Sequence, residues 1–521
     1  MSGSYSQEDV AKHNQYGDLW VIIDNSVYDL SKFADLHPAG RNVLKDYAGQ
    51  DVTELFKQFH SDSILHKYHE KLCIGTLSDP KPNKVVPIRE LAVNANKLFI
   101  GDGIPYGDPN WVQGWNNPYY NDSHRKLRIK AREFYQTEVA PFMDQWDMKK
   151  VLPKELFKKI ADTGLIKFAM GKWQDKYFPE KKYMGIEIEN PDYFHEMILT
   201  EETIKYGSIG LAWGIATSTI GLPPIFNHGT DFLQDKYVKQ VLNGEKMIAL
   251  AITEPWAGSD VANLQTTAVL SDDEKYYTVN GMKKFITTGE YADAFTVAVR
   301  TGGEGFFGVS LLVIDRNMPG VKTRKMNMGG VWGSGTAFII FENVKVPAEQ
   351  LVGDEGLGFM YIMQNFNHER FTLSCKCQAA SRLVYEEAFK YAHLRKTFGK
   401  RLIDQPVIRQ KLANMIKEIE SLQAYNELIA YNMNKKDRRL EKTIASAIAI
   451  AKSQGVVIFE KMCSEAVQIV GGNGYQRGSV ASKIERYYRE TKSLTLGGGT
   501  PEIMFDMAIR QASKMYPKPK I

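Results

Sequence analysis

The run Asp79-Pro80-Lys81-Pro82-Asn83-Lys84 cuts the chain in two. Proline offers no N–H to a helix or a sheet ladder, so this run reads as a stiff, exposed connection. Residues 1–79 before it form a segment that can fold alone, though only marginally at that size. The linker is taken as residues 80–114, and beyond it the texture changes twice. Residues 115–250 carry helical periodicity and few strand signals. Residues 251–355 are rich in Val, Ile, Phe, Thr and Gly. Their short alternating runs, Tyr276-Tyr277-Thr278-Val279 and Ala337-Phe338-Ile339-Ile340-Phe341, read as a β domain. Residues 356–521 return to long amphipathic helices. The expected fold class is α+β multidomain: a small α+β domain, then a body made of a helical domain, a β domain and a C-terminal helical bundle.

The 521 residues carry a formal charge of only +5, which makes no case for a nucleic-acid partner. Cys73, Cys375, Cys377 and Cys463 lack the spacing of a zinc knuckle or a CxxC pair, as expected of reduced cysteines inside a cell. The N-terminus shows neither an apolar signal core nor an Arg-rich amphipathic stretch. Ile209 to Phe226 is the most apolar stretch, but Pro223-Pro224 interrupts it. It reads as a buried helix plus a turn, so no membrane span is expected. The final Pro519-Lys520-Ile521 meets a peroxisomal tripeptide pattern at Lys520 and loosely at Ile521, and departs at Pro519. The expected location is cytoplasmic or peroxisomal.

Trp20 to Leu30 reads as two short strands around the turn Asp24-Asn25-Ser26, followed by Leu36-His37-Pro38-Ala39-Gly40 and, later, Phe56 and His60-Ser61. Two histidines on loops between short helices can clamp a haem from both faces, which leaves the iron no open position and suits it to electron transfer. These runs, with Ala48-Gly49-Gln50-Asp51-Val52-Thr53 and Ile74-Gly75-Thr76-Leu77, resemble the cytochrome b5 family over residues 5–78. The resemblance implies haem b with His37 and His60 as axial ligands. His66 and His69 are the competing ligands, and His13 reads as a surface residue. Ala39 stands where the family usually has a glycine, which predicts a slightly re-bent loop.

The run Ala249 to Asp260, ending Thr253-Glu254-Pro255-Trp256-Ala257-Gly258-Ser259-Asp260, offers hydroxyls and backbone N–H groups near a helix-to-strand junction. Asn280-Gly281 reads as a tight hairpin turn feeding the strand that holds Phe285 and Thr287. Arg395-Lys396-Thr397-Phe398-Gly399-Lys400-Arg401 is a basic cluster suited to a pyrophosphate. Gln468 to Tyr475 is glycine-rich but follows no strand, so it is not a dinucleotide fingerprint.

In this order, and with Glu485 to Glu490 and Gly499-Thr500-Pro501-Glu502-Ile503, these segments resemble the acyl-CoA dehydrogenase family over residues 115–512. The resemblance implies an FAD enzyme acting on an acyl-CoA thioester, assembled as a homodimer or homotetramer, with an electron-transfer protein as a candidate partner. Thr253, Ser259, Phe285 and Thr287 would contact the flavin. Arg395, Phe398, Gln405, Gln468, Gly472, Thr500 and Glu502 would serve FAD, some of them from a neighbouring subunit.

The implied reaction needs a carboxylate at the α-carbon and a donor for the enolate oxygen. Many members carry that carboxylate in a Tyr-Glu-Gly-Thr run. Here the run is Gly497-Gly498-Gly499-Thr500, with Gly498 in the glutamate's place. A subset resembling the isovaleryl-CoA and long-chain dehydrogenases supplies it from a helix. Asn367-His368-Glu369-Arg370-Phe371 matches that pattern, so Glu369 is the expected base. Ser259, Arg370 and the Gly498 N–H are the expected substrate contacts. The expected function is α,β-desaturation of an acyl-CoA with hydride transfer to FAD, fused to a haem module. The alternative is a haem/flavin electron carrier or a related flavoprotein oxidising a non-thioester substrate.

Overall fold

The computed structural model describes residues 3–38, 40–60, 62–80, 99–170, 176–177, 179 and 181–516. Ala39, the Pro/Lys run beyond Pro80 and Pro519-Lys520-Ile521 lie outside the described residues. The chain forms two compact units. One comprises Met1–Trp115, Val384–Met415 and Ser464–Glu485; the other comprises Asn116–Leu383, Ile416–Cys463 and Arg486–Ile521.

The first unit opens on a five-stranded sheet ordered Gly3–Tyr5, Cys73–Leu77, Ser26–Asp29, Asp18–Ile23, Asn14–Gln15. The expected hairpin forms: Asp24 and Asn25 turn with φ of 48° and 62°, the left-handed pair that matches strand twist. Alternation then splits the side chains. Leu19, Val21, Ile23 and Tyr28 pack with Phe33, Leu44, Phe56 and Leu65, while Ile22 and Val27 pack with Val10 and Leu77 on the opposite face. His13 is not a simple surface residue. Its ring stacks on Trp20 at 3.5 Å, and Nδ1 lies 2.6 Å from the Asp18 carboxylate. The latter part of the expected linker is folded. Phe99, Trp111 and Val112 are buried, and the Ile100 N–H donates to the Val112 carbonyl at 2.8 Å. An apolar cluster of that kind cannot stay solvated as a linker does.

The second unit holds the helices Asp122–Glu138, Tyr193–Tyr206 and Ile209–Gly221, then the β domain. The first two are joined by Arg128 and Arg132, which pair with Glu201 and Glu202, all buried. At their N-termini His124, Asp192 and His195 form interlocked caps. Asp192 Oδ1 lies 3.1 Å from His124 Nε2 and 2.8 Å from His195 Nδ1. This is the His/Asp cluster of metal-ligand type among the described residues, and capping bonds occupy it.

The sheet runs Val309–Asp315, Ala294–Arg300, Thr267–Leu270, Tyr276–Ile286, Ala337–Pro347, Val321–Lys325, with Ile248–Ala251 beside Ala294–Arg300. The strands Ala294–Arg300 and Val309–Asp315 are covered on both faces, so Phe295 to Val299 and Val309 to Ile314 are buried without interruption. Asn280-Gly281 is a β-bulge inside the strand Tyr276–Ile286, not the hairpin turn expected from the pair. The Asn280 amide pairs with Asn343 across the ladder at 3.1 Å, and Gly281 takes a φ of 148° over Thr266. The strand therefore continues through a dipeptide that usually ends one.

Among the described residues, the helix long and apolar enough to cross a bilayer is Thr443–Gly474, rather than any part of Ile209 to Phe226 taken alone. Its apolar window is 56% buried within the chain, and Lys452 and Ser453 are buried along it, as in a core helix. Cys375, Cys377 and Cys463 are buried free thiols on the bundle helices.

Candidate active site

Glu369 lies on the 37-residue helix Gly358–Leu394. Asn365, one turn earlier, faces the same side. Its Nδ2 donates to Glu369 Oε1 and, at 3.3 Å, to the Ile220 carbonyl. Burial pushes the Glu369 carboxyl up to about 7, against the opposing pull of Arg370, His368 and Lys376. That is the range in which a carboxylate serves as a base at neutral pH. His368 is engaged elsewhere: Nε2 sits 2.7 Å from Glu196 Oε2, and the Thr372 hydroxyl holds the other oxygen of Glu196 at 3.0 Å.

Arg370, the residue after Glu369, reaches the turn after the helix Ser482–Leu496, which has left-handed φ of 70° at Gly498 and 100° at Gly499. A Cβ on Gly498 would lie 2.6 Å from Leu373 Cδ1, so a side chain there would have to displace the end of Leu373 and would strain the backbone at this φ. Arg370 Nε donates to the Gly498 carbonyl at 3.1 Å, and Lys452 Nζ donates to the Thr495 and Gly499 carbonyls. The carbonyls of the turn are thus held, while the Gly498 N–H has no partner among the described residues. Thr500 caps the next helix, Pro501–Met515, with Glu502 in its first turn.

A second group of residues lies on the β domain. The loop carrying Thr253 and Ser259 follows the strand Ile248–Ala251, so the junction runs from strand to loop. It is organised by Glu254. This carboxylate accepts the N–H groups of Gln265 at 2.6 Å and Thr266 at 2.9 Å, the Trp256 indole at 2.7 Å and the Lys283 ammonium at 2.8 Å. Lys283 also donates to the Ile252 carbonyl at 2.9 Å, and the Lys284 N–H reaches the Thr253 carbonyl at 2.9 Å. Thr253 is thereby brought beside Phe285, which is half exposed with a φ of 61°, and Thr287 follows two residues on. The hydroxyls of Thr253, Ser259 and Thr287 have no hydrogen-bond partner among the described residues. Three free hydroxyls on the loop and strand segment that carry an exposed aromatic ring suit a flat, polar-edged heterocycle.

Sequence reasoning missed Glu254, Lys283 and Asn365 as site residues. Glu254 stood inside the quoted loop and Lys283 two residues past Gly281 of the bulge, but only their pairing reveals them. Glu254 and Lys283 are both fully buried at their side chains. Burial raises the Glu254 carboxyl, and Lys283 with the loop donors more than reverses this, leaving it below the usual range. A depressed carboxyl contributes stability above its unfolded value and loses it as pH falls through the folded one. Glu254→Gln leaves the buried ammonium without its counter-charge. We expect a loss of about 3–5 kcal/mol in denaturant unfolding at pH 7, together with release of flavin. A parent-like midpoint with full flavin would rule out this pair as the anchor of the loop.

The remaining expected FAD residues fall in the first unit. Arg395 leads into the hairpin Lys396–Thr397/Lys400–Arg401, whose tip is Phe398, 97% exposed, with Gly399. Gln405 follows this hairpin, and Gln468 and Gly472 are exposed at the end of the helix Glu441–Val470.

In the N-terminal domain the His37 and His60 rings face each other with centroids 5.9 Å apart. His60 Nδ1 points at the Phe56 carbonyl at 3.3 Å, which leaves Nε2 free to bind a metal. Burial lowers both imidazoles, favouring the neutral form that ligation requires. His69 is bonded to the Tyr28 hydroxyl at 2.9 Å, and His66 is exposed on the helix Asp62–Leu72.

Comparison with known proteins agrees with this division. The cytochrome b5-like heme/steroid binding domain matches residues 6–78. The N-terminal, middle and C-terminal domains of acyl-CoA dehydrogenases match residues 121–245, 249–344 and 356–513. Acyl-CoA dehydrogenase AFT10-1 of Alternaria alternata is 36% identical over 422 residues, 80% of this chain and 97% of that protein. Acyl-CoA dehydrogenase apdG of Emericella nidulans is 34% identical over 421 residues, 79% of this chain and 96% of that protein. The crystal structure of a probable acyl-CoA dehydrogenase from Mycobacterium abscessus superposes with a TM-score of 0.68 at 36% identity, covering 76% of this chain and all of the other. The chain belongs to the acyl-CoA dehydrogenase family of FAD-dependent oxidoreductases and carries a cytochrome b5-like, haem-binding domain at its N-terminal end.

Proposed function

We propose that this protein desaturates an acyl-CoA thioester between its α and β carbons and passes the electrons on through its own haem. The observation that carries the reading is Glu369, with its carboxyl raised to about 7, beside Arg370, which with Lys452 holds the turn whose Gly498 N–H is free. Glu369 takes the α-proton as the C–H bond breaks. The Gly498 N–H stabilises the negative charge that gathers on the thioester oxygen. Thr253, Ser259, Phe285 and Thr287 would hold FAD, which would supply the two-electron acceptor for the β-hydrogen and its electron pair, leaving the enoyl thioester as product. Arg370 keeps the turn in place and meets the acyl-CoA beside the base.

His37 and His60 would ligate haem b on both faces and carry electrons one at a time. Covalent linkage keeps this carrier at high effective concentration near the flavin. The exposure of Phe398, Gln468 and Gly472 supports a homodimer or homotetramer in which these residues, with Arg395 and Gln405, serve the flavin of a neighbouring subunit.

The test is an anaerobic titration with straight and branched acyl-CoAs, following flavin and haem bands separately. The expected result is flavin bleaching followed by haem reduction. Flavin bleaching alone would remove the internal path. No change with any acyl-CoA, both cofactors being bound, would favour a non-thioester substrate.

A further inference from the structure

The helix Ile209–Gly221 gives way at once to Pro223–His228. In a continuing helix the Ile220 carbonyl would accept the N–H of residue 224. Residue 224 is proline and has none, so this carbonyl needs another donor. Asn365 supplies it, from a helix that begins more than a hundred residues later. The other contact of the same Nδ2 is the Glu369 carboxylate. Both neighbours are acceptors, so the carboxamide can present only its NH2 to them, and its orientation is settled.

We propose that Asn365 is a positioning residue for the base: the Ile220 carbonyl left open by Pro224 anchors its carboxamide, which holds the ionised Glu369 carboxylate in place for proton abstraction. The inference rests on Glu369 being the base. The other charged groups around Glu369 are His368, Arg370 and Lys376 on its own helix. Glu196, on Tyr193–Tyr206, faces His368, and Lys452, on Glu441–Val470, lies near Arg370. Among the described residues none of these donates a hydrogen bond to the Glu369 oxygens, so Asn365 is the neighbour whose loss removes a donor from the carboxylate.

Asn365→Leu keeps the side chain's volume and removes both donors, and Asn365→Ala removes the side chain. The measurement is the rate of acyl-CoA-driven flavin bleaching against pH in the full-length protein carrying FAD and haem. A donor to a carboxylate favours its ionised form, so its removal moves the rising limb to higher pH, by about one unit. At pH 7 this slows bleaching roughly five-fold, and the parent rate returns in alkali. A purely structural role for Asn365 would lower the rate at every pH without moving the midpoint. An unmoved midpoint in both variants overturns the proposal. Glu369→Gln, run alongside, separates the two readings: parent-rate bleaching in that variant removes Glu369 as the base, whatever Asn365 does.

Discussion

Glu369→Gln is expected to keep FAD and haem and to lose acyl-CoA-dependent flavin reduction. Glutamine matches glutamate in size and still accepts the Asn365 amide, so the helix Gly358–Leu394 and the turn at Gly498 should persist. What is lost is the proton acceptor, a loss of about 10²–10⁴-fold in the rate of bleaching. The parent should bleach faster as pH rises through about 7, where Glu369 ionises, and the variant should show no such limb. Stability gives a second readout. The carboxyl is raised in the folded state, from an ordinary 4.5 to about 7, so folding is favoured while it is protonated and loses that advantage as pH climbs through this window. The amide cannot ionise. The variant should therefore be more stable than the parent at pH 8, by on the order of 2 kcal/mol, and indistinguishable from it near pH 4. Parent-rate bleaching, or equal stability of the two proteins at pH 8, would contradict a buried base at this position.

The second large effect is on the other cofactor. His60→Ala should lose the haem Soret band while acyl-CoA still bleaches the flavin, because Glu369, Gly498 and Thr253 lie in the other compact unit. His60 is held for ligation by Phe56, whose ring stacks on it at 4.5 Å and whose carbonyl faces Nδ1. His37→Ala should behave in the same way. An unchanged Soret band in the His60 variant would shift the ligand to His66 or His69. His69 would then have to give up its Tyr28 bond.

Much of this protein is legible in local sequence. The His37 and His60 runs, the hairpin at Asp24-Asn25 and the helix, β, helix texture each depend on neighbours a few residues apart, where periodicity and turn chemistry act. Gly498 in place of the usual glutamate and Glu369 on its helix are also readable, since each is a residue in a short pattern. The dipeptide Asn280-Gly281 misleads because its turn preference is local, whereas the bulge it adopts is decided by Asn343 on the partner strand.

By itself the sequence determined the order of the domains and the identity of the two cofactors, and it named Glu369 as the expected base. The tertiary structure decided what those residues can do. Glu254 meets Lys283 across 29 positions, and Asn365 meets the Ile220 carbonyl across 145. The end of Leu373 lies where a Cβ at residue 498 would stand. No local period encodes such meetings. They arise when distant segments are packed together and each buried donor or acceptor must find a partner. The same burial moves the Glu369 carboxyl from an ordinary acid to one poised near neutrality.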